Sequence, residues 1–163
     1  MSRSHLILFA GLVVLCAGCD HAAKHVAETA LEGRGVVSLL GGVVRFELAE
    51  NPGAFLSMGA NLPTWLRTGV LMIGVPLMLG ALCYTLLRQD RIGRWEIVAA
   101  AAMAGGGLAN WIDRLMDGGT VTDYVSIGVG SLRTGIFNFA DVAVMAGLAM
   151  FLVLGWREEP SPE

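Results

Sequence analysis

The chain has 163 residues, room for one domain and hardly for two. Hydrophobic residues make up 55% of it and charged residues 15%, against about 25% in a typical globular chain, and the charges leave long apolar stretches between them. That pattern points to a lipid bilayer, and a formal net charge of -3 without a basic tract leaves nucleic-acid binding without electrostatic support.

A first membrane span is expected at about residues 6–24. Leu6 to Cys19 carries no charge, and helix continues through Ala22 and Ala23 to Lys24. Cys16 and Cys19 spell C-x-x-C, but no second pair accompanies them. With Cys83 the cysteines number three and form no disulfide framework, so they read as small packing residues. Arg3, the apolar run and Cys19 also resemble a bacterial lipoprotein signal with its cleavage cysteine; three later spans favour keeping the segment as a span. His21, His25 and Glu28 have the spacing of metal ligands on one helix face. No further histidine joins them, since His5 lies at the other end of the span, so neither a metal nor any other cofactor is expected.

Residues 25–64 are expected to form an extracytoplasmic β and loop region. Arg45, Phe46, Glu47 and Leu48 alternate polar and apolar, Gly41-Gly42 is a turn candidate, and a flap is expected near Phe55. The second span, 68–87, is an uncharged run of 20 residues with Pro76 expected to kink it. Arg88, Arg91 and Arg94 crowd the short connector that follows, which the positive-inside rule makes cytoplasmic together with both termini. Six of the eleven basic residues fall at or beyond the outer boundary, so density in this short loop, not the raw count, sets the direction. The third span, 95–114, contains Gly105-Gly106-Gly107, a surface for close helix approach. A glycine-rich outer connection at 117–135 leads to the fourth span, 136–156, interrupted only by Asp141. The fold class is therefore an all-α membrane bundle of four transmembrane helices with a small extracytoplasmic β element, one domain over 1–163.

On this path the end of span one, the start of span two, the end of span three and the start of span four share one face. Asp20, Lys24, Asn110, Asp113, Arg114, Asn138 and Asp141 all approach it. Ionisable groups at membrane depth are costly and mark pairs or functional sites. Asp20 and Lys24 are i, i+4, suited to an ion pair; Asn138 and Asp141 are i, i+3, able to face one pocket. Two neighbouring carboxyls hold one proton between them, which suits one to activate water and the other to polarise a carbonyl. Spacing alone leaves the partner of Asp141 open between Asp113 and Asp123, although Arg114 would tie Asp113 into a structural pair. A membrane transporter or proton-coupled channel using intramembrane carboxylates is the other functional class, disfavoured by the clustering at one face.

Five blocks occur in order: Asp20-His-Ala-Ala-Lys24, Asn51-Pro-Gly-Ala-Phe-Leu-Ser-Met-Gly59, Gly106-Gly-Leu-Ala-Asn-Trp-Ile-Asp-Arg114, Val121-Thr-Asp-Tyr124 and Phe137-Asn-Phe-Ala-Asp141. Together they closely resemble the lipoprotein signal peptidases, the signal peptidase II family, over nearly the whole chain. His21, where many relatives carry glutamine, and Pro52 depart from the pattern. The resemblance implies an aspartic endopeptidase of the bacterial inner membrane that cuts prolipoproteins on the amino side of a diacylglyceryl-modified cysteine. It implies Asp123 and Asp141 as the catalytic pair. Asn51, Gly53, Asn110, Arg114, Asn138 and Ala140 would bind substrate or orient the pair, and Asp20, Lys24 and Asp113 would be structural. The expected partners are lipidated prolipoproteins and membrane lipids, and the expected state is monomeric.

Overall fold

The computed structural model describes residues 1–54, 58–89 and 92–157. The flap expected near Phe55 lies outside the described residues. Four long helices carry the chain: α1 (Arg3–Leu31), α2 (Thr64–Arg88), α3 (Arg94–Met116) and α4 (Phe139–Arg157). Between them lie four short strands, β1 (Val37–Leu39), β2 (Val44–Asn51), β3 (Val121–Val129) and β4 (Leu132–Arg133), forming one antiparallel sheet in that order.

The Ser2 hydroxyl caps α1 by accepting from the His5 amide at 3.2 Å. Twenty-nine residues at about 1.5 Å each make it about 43 Å long, more than the roughly 30 Å of bilayer hydrocarbon. It therefore runs past Lys24, where the sequence suggested an end, and its last turns support the sheet through the buried Ala27 and Leu31. In α2 a π-helical turn at Val70–Gly74 precedes Pro76. Proline has no N–H to offer the carbonyl of Met72, and the Trp111 indole of α3 supplies the missing donor at 3.1 Å.

Glycines let α3 sit at the centre. A Cβ on Gly105 would come within 2.7 Å of Cys16 in α1; on Gly106, within 2.4 Å of the Ala140 carbonyl in α4; on Gly107, within 3.2 Å of Leu79 in α2. Steps of about 100° turn three consecutive residues to three different neighbours. Gly147 of α4 returns the contact, approaching the Ala99 carbonyl to 2.5 Å at its missing Cβ position. Among the described residues two helices, α1 and α2, are long and apolar enough to cross a membrane, and Phe139–Gly155 is a shorter apolar stretch. Only 11% of each apolar window in α1 and α2 is buried, so these surfaces face outward. The less apolar α3 is rich in buried alanine and glycine because it is the core.

The bundle's two ends differ. At one, the Met1 amine donates to the Gln89 carbonyl, and Leu86, Ile92, Ile97 and Ala100 pack with Phe9 and Phe151. At the other stand the sheet and the buried polar residues. The β1–β2 turn places Gly41 and Gly42 at φ of 66° and 89°, which the pair tolerates without a Cβ. The Arg133 guanidinium ties this turn to β3 by donating to the Gly42, Val43 and Ser126 carbonyls. A bulge in β2 between Phe46 and Ala49 sets the register that brings Ala49 opposite Asp123 and Asn51 opposite Val121.

Candidate active site

The site begins at the start of α4. The Asn138 side-chain oxygen accepts from the Asp141 amide at 2.9 Å, and the Asp141 carboxylate accepts from the Asn138 amide at 3.4 Å. This reciprocal pair is a capping box, which satisfies helix-end N–H groups and fixes the Asp141 rotamer. The other Asp141 oxygen accepts from the Asn110 side-chain amide of α3 at 3.0 Å.

Asp123 comes from β3. It is 1% exposed, and each carboxylate oxygen has a donor: Asn51 Nδ2 at 2.8 Å and Asn138 Nδ2 at 2.7 Å. Burial pushes the Asp123 carboxyl up to about 6 from 3.8; the Asn51 amide opposes the rise, the nearby Asp141 charge adds to it, and the Asn138 amide and Lys24 oppose it. Asn138 therefore touches both carboxyls, Asp123 through its nitrogen and Asp141 through its oxygen. Asn51 is itself fixed by the Gly53 amide, which donates to its side-chain oxygen at 2.8 Å, and by its own donation to the Ala54 carbonyl at 3.1 Å.

A second layer lies against α1. Lys24 Nζ is 2.5 Å from both Asp20 and Asp113 and donates to Asn110 Oδ1 at 3.0 Å. The i, i+4 pair of Asp20 and Lys24 thus forms, but Asp113 pairs with Lys24, not with its neighbour Arg114. Arg114 turns the other way and donates to the carbonyls of Asn110 at 2.9 Å and Gly53 at 2.5 Å, stitching α3 to the segment after β2. Asp20 also accepts from the Ala140 amide at 2.8 Å, anchoring the first turn of α4 on α1. Ala140 is fully buried against Gly106, so among the described residues its contacts are packing and this one hydrogen bond.

The metal-like spacing of His21, His25 and Glu28 does not converge. Glu28 faces Thr122 at 3.5 Å, and His25 is exposed. The oxygens and nitrogen that do converge belong to Asp20, His21 and Asp113, within 4.8 Å of one another. The Lys24 ammonium lies between the two carboxylates and supplies the positive charge that a bound cation would bring. Two further residues lie inside the sequence blocks but had been given no role there. The Tyr124 side chain lies by the Phe139 backbone amide, and Trp111 completes α2 at its proline.

A family model for signal peptidase (SPase) II matches residues 12–157. The chain belongs to the signal peptidase II family. It is 33% identical over 161 residues to a lipoprotein signal peptidase of Parasynechococcus marenigrum, covering 99% of this chain and 94% of the relative. A lipoprotein signal peptidase of Helicobacter pylori is 32% identical, with 93% and 88% covered. A bacterial membrane enzyme solved by the in meso method at 2.3 Å shares the fold, with a TM-score of 0.76 at 18% identity over 98% of this chain and 94% of that one. Membership makes the chain a peptidase, a hydrolase of the lipoprotein-processing kind.

Proposed function

We propose that this peptidase removes signal peptides from prolipoproteins by an aspartic mechanism, cutting on the amino side of a cysteine that bears a diacylglyceryl group. The relatives' names support the substrate class. The observation that carries the mechanism is Asn138, which holds the two buried carboxyls of Asp123 and Asp141 with one side chain. Two such groups cannot both ionise cheaply, so the pair retains a proton. We assign this proton to Asp123, the more deeply buried of the two, and the role of base to Asp141.

Asp141 takes a proton from water as the water oxygen adds to the scissile carbonyl. Asp123 gives its proton to the carbonyl oxygen, yielding a neutral tetrahedral diol. Asp123 then takes a hydroxyl proton back as the C–N bond breaks, and Asp141 delivers its proton to the leaving amine. Arg114, by donating to the Gly53 carbonyl, holds the segment at the end of β2 that carries Asn51 beside the pair.

Four spans with both termini cytoplasmic would set this chemistry at the outer face of the inner membrane, and the polar end common to all four helices supports that placement. The deciding experiment incubates the purified protein with a lipidated prolipoprotein and follows signal-peptide release. Asp123→Asn and Asp141→Asn should each abolish cleavage while the protein still folds, because the amide is nearly isosteric but cannot cycle a proton. Near-normal turnover by either variant removes that residue from the mechanism.

A further inference from the structure

We propose that the groove between the outer end of α1 and the sheet holds one acyl chain of the substrate's diacylglyceryl group. The inference rests on the peptidase reading above. The groove has a volume of about 400 Å³ and is lined by Val26, Ala27 and Ala30 of α1, Val37 and Phe46 of β1 and β2, and Tyr124 of β3. That lies within the usual size of small-ligand sites, roughly 300–1,000 Å³.

Three observations select the occupant. The first is wall chemistry: the lining side chains are hydrocarbon except for the Tyr124 hydroxyl, which lies by the Phe139 backbone. A peptide laid here would leave its N–H and C=O groups unpaired, whereas a hydrocarbon loses nothing. The second is access. Leu15, Cys19, Ala22 and Val26 are all exposed, and their i, i+4, i+7, i+11 spacing makes one apolar stripe along α1. It leads from the middle of the apolar run to the groove, so a chain enters from the bilayer without crossing polar surface. The third is position. Tyr124 follows Asp123 on β3, and Phe46 pairs with Val125 two residues beyond Asp123, so the groove is walled by the strand that carries the Asp123 carboxyl. Holding an acyl chain there converts lipid anchoring into orientation of the scissile bond.

The test uses lipidated prolipoprotein peptides of graded acyl length in proteoliposomes. For the wild type, KM should fall as the chains lengthen. Ala30 is exposed at the mouth, so Ala30→Trp narrows the groove without disturbing the core. It should raise KM for the long-chain substrate about tenfold, the worth of roughly two buried methylenes, and leave kcat and the short-chain KM unchanged. A second measurement needs no change in the groove. A substrate with a photoreactive group at the acyl terminus, held uncut by Asp141→Asn, should label residues 26–46 or Tyr124. A phospholipid carrying the same photoreactive chain should label the groove less once the substrate is added. A wild-type KM indifferent to chain length, labelling confined to other helices, or phospholipid labelling that substrate does not displace would each overturn the assignment. If these substrates are not cut at all, the peptidase reading itself fails; if they are cut without length dependence, only the groove assignment does.

Discussion

Replacing Asn138 separates its two roles. Asn138→Ala removes the 2.7 Å donor to Asp123 and the side-chain cap of α4. Asn138→Ser keeps a good capping oxygen but is too short to reach Asp123. Losing the cap should cost about 1 kcal/mol of stability, seen with Ala and hardly with Ser. A hydrogen bond to a charged group is worth about 1.5–3 kcal/mol, so both variants should lose roughly 10- to 150-fold in kcat/KM if the bond is needed in the transition state. The pH profile carries an independent sign. Asp123 sits at about 6 because burial raises it while the Asn51 and Asn138 amides hold it down by favouring the carboxylate. Deleting the Asn138 donor frees the rise, so the alkaline limb of kcat/KM, where Asp123 loses its proton, should move to higher pH in both variants. Stopped assays of signal-peptide release between pH 4 and 9, with thermal unfolding in detergent, measure all three effects. A normal rate and an unmoved limb in Asn138→Ser would reduce Asn138 to a helix cap and refute the account of the dyad.

Other perturbations test the frame around it. Lys24→Met leaves Asp20 and Asp113 buried without their 2.5 Å partner, and unfolding should become easier by about 3–5 kcal/mol in a thermal or denaturant assay. Gly106→Ala places a methyl 2.4 Å from the Ala140 carbonyl and should cost about 1–3 kcal/mol, whereas Gly11→Ala, with open space around it, should not lower the unfolding temperature. Asn51→Ala removes the other Asp123 donor; turnover should drop by about tenfold or more with the alkaline limb again shifted upward, while the bundle stays folded by circular dichroism.

The helical plan was legible because apolar runs and the punctuation between them are local properties. The alternation at Arg45–Leu48 and the Gly41-Gly42 turn candidate marked a small β element, which the structure supplies as the β1–β2 hairpin. The nine-residue β3 was less visible, since Val121-Thr-Asp-Tyr124 has no long alternating stretch before the glycines at 128 and 130. The run of α1 past Lys24 was hidden for a different reason. Polar residues such as Lys24, His25 and Glu28 look like a helix end, and only the sheet packed on Ala27 and Leu31 explains why the helix continues.

By itself the sequence determined which residues are polar in an apolar chain, that Asp20 and Lys24 lie one helical turn apart, and that Asn138 and Asp141 face the same way, because helical periodicity alone dictates those relations. It also carried the family, in five blocks whose order needs no coordinates. Tertiary structure decided the pairings between elements. Both Asp113 and Asp123 were candidates to stand near Asp141. Folding hands Asp113 to Lys24 and turns Arg114 toward Gly53, while the β2 bulge and the cap at Asn138 bring Asp123 to the amide that also holds Asp141. The physical reason is that a buried charge must find its partner in space. Which partner it finds depends on the close approach of helices at Gly105, Gly106 and Gly107 and on strand register, neither of which is written in the spacing of residues along one element.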